Sequence, residues 1–237
     1  MNTKLGMRLG IGLVALLCLS QVQAQAPDGL SDKVAALKKN LQQNQINLKQ
    51  YEWVDTVTVS KDGDQKSQKQ FRCYYGVDGT LQKTLLSNSQ DQDQGGGRGG
   101  PFRRAMMANK KEEMADYMQQ AVGLIKKYIP PQASQIQAAM EANKISFKPN
   151  MANQTIALNI QDYLLPGDSL NLVLNTEKSD LTSLSVNSYL DNPKDTVTMQ
   201  VTFANLPDGT SYTKQTLLTA KEKKITVLTE SSGYKKM

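Results

Sequence analysis

Residues 51–86 read YEWVDTVTVSKDGDQKSQKQFRCYYGVDGTLQKTLL, and the fold turns on how that stretch alternates. Tyr51, Trp53, Val57 and Val59 fall on one face at a period of two, with Glu52, Thr56, Thr58 and Ser60 on the other. That is the pattern of a strand covered on one side. Lys61-Asp62-Gly63-Asp64 is a turn, after which Phe71, Cys73, Tyr75 and Val77 alternate with Gln70, Arg72, Tyr74 and Gly76. Asp78-Gly79 turns the chain again, into a strand from Thr80 to Leu86. Two Asp-Gly turns between alternating segments predict a three-stranded antiparallel meander.

Downstream, Ser87 to Pro101 is Asn, Ser, Gln, Asp and Gly with no apolar anchor, which predicts a flexible Gly-rich loop over 87–101. A helical period follows through Met114, Tyr117, Met118, Ala121, Leu124, Ile125 and Tyr128, stops at Pro130-Pro131, and resumes over about 132–143 with Ile136, Ala139 and Met140. Beyond that the chain is strands: Ile156, Leu158 and Ile160; Leu170, Leu172 and Leu174; Leu184 and Val186; Val197, Met199, Val201 and Phe203; then about 211–220 and 223–230. Pro166-Gly167-Asp168, Asn192-Pro193 and Pro207-Asp208-Gly209 separate them. The expectation is an α+β chain: a curved, partly closed antiparallel sheet of about nine strands covered by about three helices.

Upstream, Leu30, Val34, Leu37, Leu41 and Leu48 recur at helical spacing, giving an amphipathic helix to about Gln50. Before it, Lys4 and Arg8 precede an apolar run from Leu9 to Leu19 and then Val22-Gln23-Ala24, the layout of a secretory signal peptide over 1–24. That run falls short of the roughly 20 residues a membrane-spanning helix needs. Residues 25–237 are then one domain, periplasmic or secreted. Cys18 follows Leu17, too large for the small residue that precedes a lipid-modified cysteine, so a lipoprotein anchor is not expected. The remaining Cys73 has no internal disulfide partner.

Composition narrows the chemistry. The 237 residues carry no His and a net charge of +6, which excludes histidine triads and histidine-bound zinc. Gly95 to Gly100, interrupted by Arg98, has dinucleotide-fingerprint spacing but follows no strand and opens no βαβ unit. Arg98, Arg103 and Arg104 around Phe102 resemble an RNA-contacting arginine-glycine segment, a partner that export argues against, so no nucleic acid is expected. Met107, Met114 and Met118 share a helix face, more in keeping with an apolar lining than with copper. Cys73 lies among aromatics with no base nearby, and the aspartates sit in turns, so neither a catalytic residue, a metal ligand nor a cofactor site emerges.

The order of signal, amphipathic helix, meander, mid-chain helices and long run of strands resembles the LolA/LolB-type periplasmic lipoprotein-carrier fold, also found in the RseB group of envelope-stress regulators. Trp53 to Lys83, with its Lys-Asp-Gly turn, Phe71 to Tyr75 and the Val77-Asp78-Gly79 turn, looks like that superfamily's opening hairpins. The Gly-rich segment is an addition to the pattern, and no arginine here matches the one that holds the carriers' lid. The resemblance implies non-enzymatic binding of acyl chains or a lipidated protein. On periodicity, the lining candidates are Trp53, Met114, Met118, Met199, Val201 and Phe203. The expected partner is an apolar small molecule or lipidated protein held between sheet and helices. The alternative is an envelope interaction module that engages another envelope protein and has no cavity.

Overall fold

The first turn sets the geometry of the whole sheet. Asp62 and Gly63 both take positive φ, 54° and 89°, as a two-residue hairpin turn between right-twisted strands requires. In the computed structural model, which describes residues 30–90 and 101–237, that turn joins β1 (Tyr51–Lys61) to β2 (Asp64–Tyr75), and β3 (Leu81–Gln90) completes the meander. Helix α1 (Leu30–Leu48) precedes it, and α2 (Pro101–Ile125) and α3 (Ala133–Glu141) follow. Seven strands close the chain: β4 (Ile145–Asn150), β5 (Thr155–Gln161), β6 (Ser169–Asn175), β7 (Asp180–Tyr189), β8 (Thr196–Asn205), β9 (Ser211–Ala220) and β10 (Ile225–Lys236).

All ten strands form one antiparallel sheet in the order β3-β2-β1-β10-β9-β8-β7-β6-β5-β4. Neighbours in the sheet are neighbours in sequence except at one seam, where the last strand pairs with the first and each covers an edge the other would leave open. The sheet remains open, since β3 and β4 are its two ends. Successive strands rotate by roughly 20–25°. Nine such steps give the sheet a strong twist across its width.

The expected α+β architecture with three helices is present, with ten strands for the expected nine. The added strand is β4, Ile-Ser-Phe-Lys-Pro-Asn, whose alternation is short and broken by Pro149. Proline is tolerated there because β4 is an edge strand and needs its N–H groups on one side only. Ser87 to Gln90, expected at the start of the loop, are strand instead, because β3 continues through Gln90, and residues 91–100 lie outside the described residues. Ser87 to Gln90 pair with Gln70 to Ser67, so backbone pairing rather than side-chain burial extends this hairpin. At the other end Pro101 already opens α2. The signal segment, Cys18, the glycines 95–100 and Arg98 lie outside the described residues, as do the side chains of Phe102, Arg103, Arg104 and Met107.

The main core lies beneath α2 and α3. Met118, Ala121, Val122, Leu124 and Ile125 of α2, Tyr128 just after it, and Ile136 and Ala139 of α3 pack on Ile160, Leu170, Leu184, Val186, Val197 and Met199 of the sheet. Each large apolar side chain so buried contributes about 1.5–3 kcal/mol. Asp168, only 2% exposed, anchors the lower end of this core. It accepts the N–H groups of Tyr163, Leu164 and Leu165 at 2.5, 3.1 and 2.6 Å and the Tyr128 hydroxyl, which also meets Ser188 at 2.7 Å. Burial and that carboxylate push the Tyr128 phenol upward, so it stays a donor.

Candidate functional site

The other half of the covered face is roofed differently. None of the described α1 side chains, residues 39–48, is buried. Residues 39–48 are held instead by amides on one face of the helix. Asn40 donates to the carbonyls of Lys178 and Ser179 at 3.0 and 3.3 Å, in the β6–β7 turn. Asn44 accepts the Ser211 N–H at 3.1 Å, and Asn47 donates to the Thr210 hydroxyl at 3.2 Å, both at the β8–β9 turn. That turn is itself tied to β1, because the Tyr51 hydroxyl donates to Asp208 at 2.6 Å while Asp208 accepts the Thr210 N–H at 2.9 Å. The tyrosine bond holds the Asp208 carboxyl below its ordinary range and lifts the Tyr51 phenol above its own. Neutral hydrogen bonds such as those of Asn40, Asn44 and Asn47 contribute about 0.5–1.5 kcal/mol net each. A few of them fasten residues 39–48 less firmly than the apolar burial of Met118, Ala121, Val122, Leu124 and Ile125 fastens α2.

Between α1 and the sheet lies a cavity of about 100 Å³. Leu41 and Leu48 roof it, and Phe203, Leu181, Leu81 and an aromatic wall line it. In the wall, Trp53 stacks on Tyr234 at 5.4 Å and 11°, Tyr75 tilts against Trp53 at 5.8 Å, and Tyr212 meets Tyr234 at 4.4 Å. Tyr234 reaches this face through a bulge. The β1–β10 register slips between Glu52 and Val54, so Gly233 and Tyr234 together oppose Trp53. Gly233 takes φ +66°, where a glycine is favoured, and the extra residue reverses which side Tyr234 faces.

At one end of the wall sits a buried carboxylate. Asp55 is 4% exposed and follows Trp53 and precedes Val57 on the same face of β1. Its Oδ1 accepts Trp53 Nε1 at 2.8 Å and the Ser231 hydroxyl at 2.7 Å; its Oδ2 accepts Lys83 Nζ at 2.6 Å and the Cys73 thiol at 3.3 Å. Burial first, and then the Asp55 charge, push the Cys73 thiol up to about 12, with Lys83 pulling the other way. At neutral pH this cysteine is a protonated thiol, without the thiolate that nucleophilic catalysis or soft-metal binding uses. Burial raises the Tyr75 and Tyr234 phenols as well. Arg72, one residue from Cys73, faces the opposite side of the sheet, pairing with Glu52 and lying 5.8 Å over the Tyr74 ring. Among the described residues no group of three Cys, Asp and Glu side chains is placed to hold a metal ion.

The six expected lining residues do not converge. Trp53 and Phe203 line the cavity. Met118, Met199 and Val201 are buried in the core beneath α2, and Met114 packs against it half-buried. The residues that pattern reading passed over are Asp55, Lys83, Tyr75, Tyr212 and Tyr234. Two of them carried a visible signal: Asp55 is a charge inside the Trp53–Val57 apolar alternation, and Lys83 sits between Leu81 and Leu85 on one face of β3. Two opposite charges on the covered faces of two strands of one meander are a readable ion pair.

No family model matches the chain, and no curated protein matches it significantly. Among solved structures, the chain is similar to a DUF1329 family protein from Desulfovibrio piger, with 8% identity and a TM-score of 0.38, covering 85% of this chain and 92% of that one. It is similar to a LolA superfamily protein from Nitrosomonas europaea, with 9% identity and a TM-score of 0.33 over 83% and 93% of the two chains. A third is MucB in complex with MucA(peri), at 10% identity and a TM-score of 0.20, covering 85% and 93%.

Proposed function

We propose that the protein is an exported, non-catalytic binding protein that holds an apolar ligand, an acyl chain of a lipid or of a lipidated protein, between the sheet and α1. The observation that carries this reading is the contrast between the two roofs among the described residues: α2 and α3 are packed down on apolar side chains, whereas residues 39–48 of α1 lie on amide hydrogen bonds above an aromatic cavity. A site for a drug-sized ligand measures about 300–1,000 Å³. On this reading the cavity, at about 100 Å³, is the closed form, and the roof that lifts for a ligand is α1.

The residues at the site suit binding. Its cysteine is protonated and buried, the chain has no histidine, and Asp55 is held by four donors. The signal-like segment before residue 25 supports export, and among the described residues no helix is long and apolar enough to cross a membrane.

The test uses the chain's single tryptophan, which stands in the cavity wall. Delipidated protein is titrated with a fluorescent fatty acid while Trp53 emission is followed. Saturable binding is expected, lost in Phe203→Asp and Leu41→Asp variants that keep the wild-type circular dichroism spectrum. No binding by folded, delipidated wild type would overturn the reading in favour of an interaction module.

A further inference from the structure

We propose that Lys83 makes this cavity selective for amphiphiles whose head presents acceptor oxygens, a carboxylate foremost, and against those with a cationic head. The proposal rests on the binding reading above and adds to it the chemistry of the ligand's polar end.

Among the described residues, Asp55 and Lys83 are the charged groups lining the cavity. Asp55 has no hydrogen-bonding capacity left: an ionised carboxylate offers about four lone-pair sites. Trp53, Ser231, Cys73 and Lys83 fill them. An ammonium head entering here reaches the Asp55 carboxylate only by evicting Lys83 from its 2.6 Å contact.

Lys83 is the reverse case. It has three donors, and Asp55 is its one partner among the described residues. Its side chain is 23% exposed against 6% for Asp55, so Lys83 is the more accessible partner of the pair. The ion pair therefore presents its positive end, with N–H groups to spare, toward an arriving ligand. Register places that end beside the aromatic wall: Lys83 pairs with Cys73, and Cys73 with Trp53, across β3, β2 and β1. A head oxygen bound at Nζ leaves the alkyl chain to run across Trp53 and Tyr234 toward Phe203. The Tyr75 phenol, kept protonated by burial, is a further donor on the same rim.

The experiment compares dodecanoate, dodecanol and dodecylammonium at equal chain length, below their micelle-forming concentrations, by titration of the full chain. A charge-assisted hydrogen bond predicts a preference of about tenfold or more for carboxylate over alcohol, with the ammonium weakest. Lys83→Gln should bring carboxylate and alcohol to within about twofold, while Lys83→Arg keeps the preference. Equal binding of carboxylate and alcohol by wild type, or a preference for the ammonium, overturns this inference while leaving the binding reading intact. The wild-type comparison decides this even if Lys83→Gln does not fold. Failure of all three probes to bind overturns the binding reading and the inference with it.

Discussion

Replacing Asp55 by leucine removes the acceptor on which four donors converge. Breaking a buried ion pair from one side costs about 3–5 kcal/mol, because the partner charge is left without compensation. Lys83 retains 23% exposure and can turn toward water, which places the pair at the lower end of that range. Trp53 Nε1 and the Ser231 hydroxyl lose their acceptor too, adding about 1 kcal/mol between them after partial relaxation. The expected destabilisation is thus about 4 kcal/mol, or a fall in Tm of roughly 8–16 °C for a chain of this size. Urea unfolding followed by far-ultraviolet circular dichroism measures it, with Trp53 emission as a local probe. Lys83→Met alone should also destabilise, but the Asp55→Leu/Lys83→Met double variant should recover at least half of the loss, since no unpaired charge remains. A cost below about 1 kcal/mol for Asp55→Leu, or a double variant no better than the single, would refute the claim that this pair organises the site.

Asp168→Ala strips the acceptor from three backbone N–H groups and the Tyr128 hydroxyl and should cost about 3 kcal/mol in thermal unfolding, without changing the ligand preference of the distant cavity. Gly233→Ala forces a side chain into φ +66° and should cost about 1 kcal/mol, with a shift in Trp53 emission as its stacked partner Tyr234 moves. Ligand affinity should be flat between pH 6 and 8, checked by repeating the fatty-acid titration across that range. Cys73 is raised to about 12, Tyr51, Tyr75 and Tyr234 are raised, and Asp208 is lowered, so these groups are displaced away from neutrality. Because the folded-state value of Asp208 is depressed, its contribution to fastening α1 is fully present above the ordinary 3.8 and is lost as pH falls through the lower folded value. Hydrogen exchange in α1 should therefore loosen only in strong acid.

Much of the architecture was legible because alternation and turn chemistry are local. Asp62-Gly63 marks its hairpin, and Leu170, Val197 and Met199 fall on the covered face as their period predicts. What was not legible depends on partners far along the chain. The β1–β10 seam joins residues about 175 positions apart, as in the Ser231–Asp55 bond, and no short-range pattern encodes it. The same seam carries the bulge that turns Tyr234 inward, against the parity of the residues before it. The methionines of α2 were expected at a ligand surface, yet Met118 packs into the core, because periodicity tells which face is covered and not whether the cover leaves space. β4 was missed because edge strands tolerate the proline that argues against a central one.

The central claim is that an apolar ligand enters beneath α1 and leaves the α2–α3 roof closed. Hydrogen–deuterium exchange of the delipidated chain, with and without a saturating long-chain fatty acid, tests it most directly. Altered protection is expected in residues 39–48, around Trp53 and Phe203, and over 211–216 and 229–234, with residues 118–140 unchanged. Changes concentrated in α2 and α3 with α1 unaffected, or no change anywhere under saturation, would contradict it.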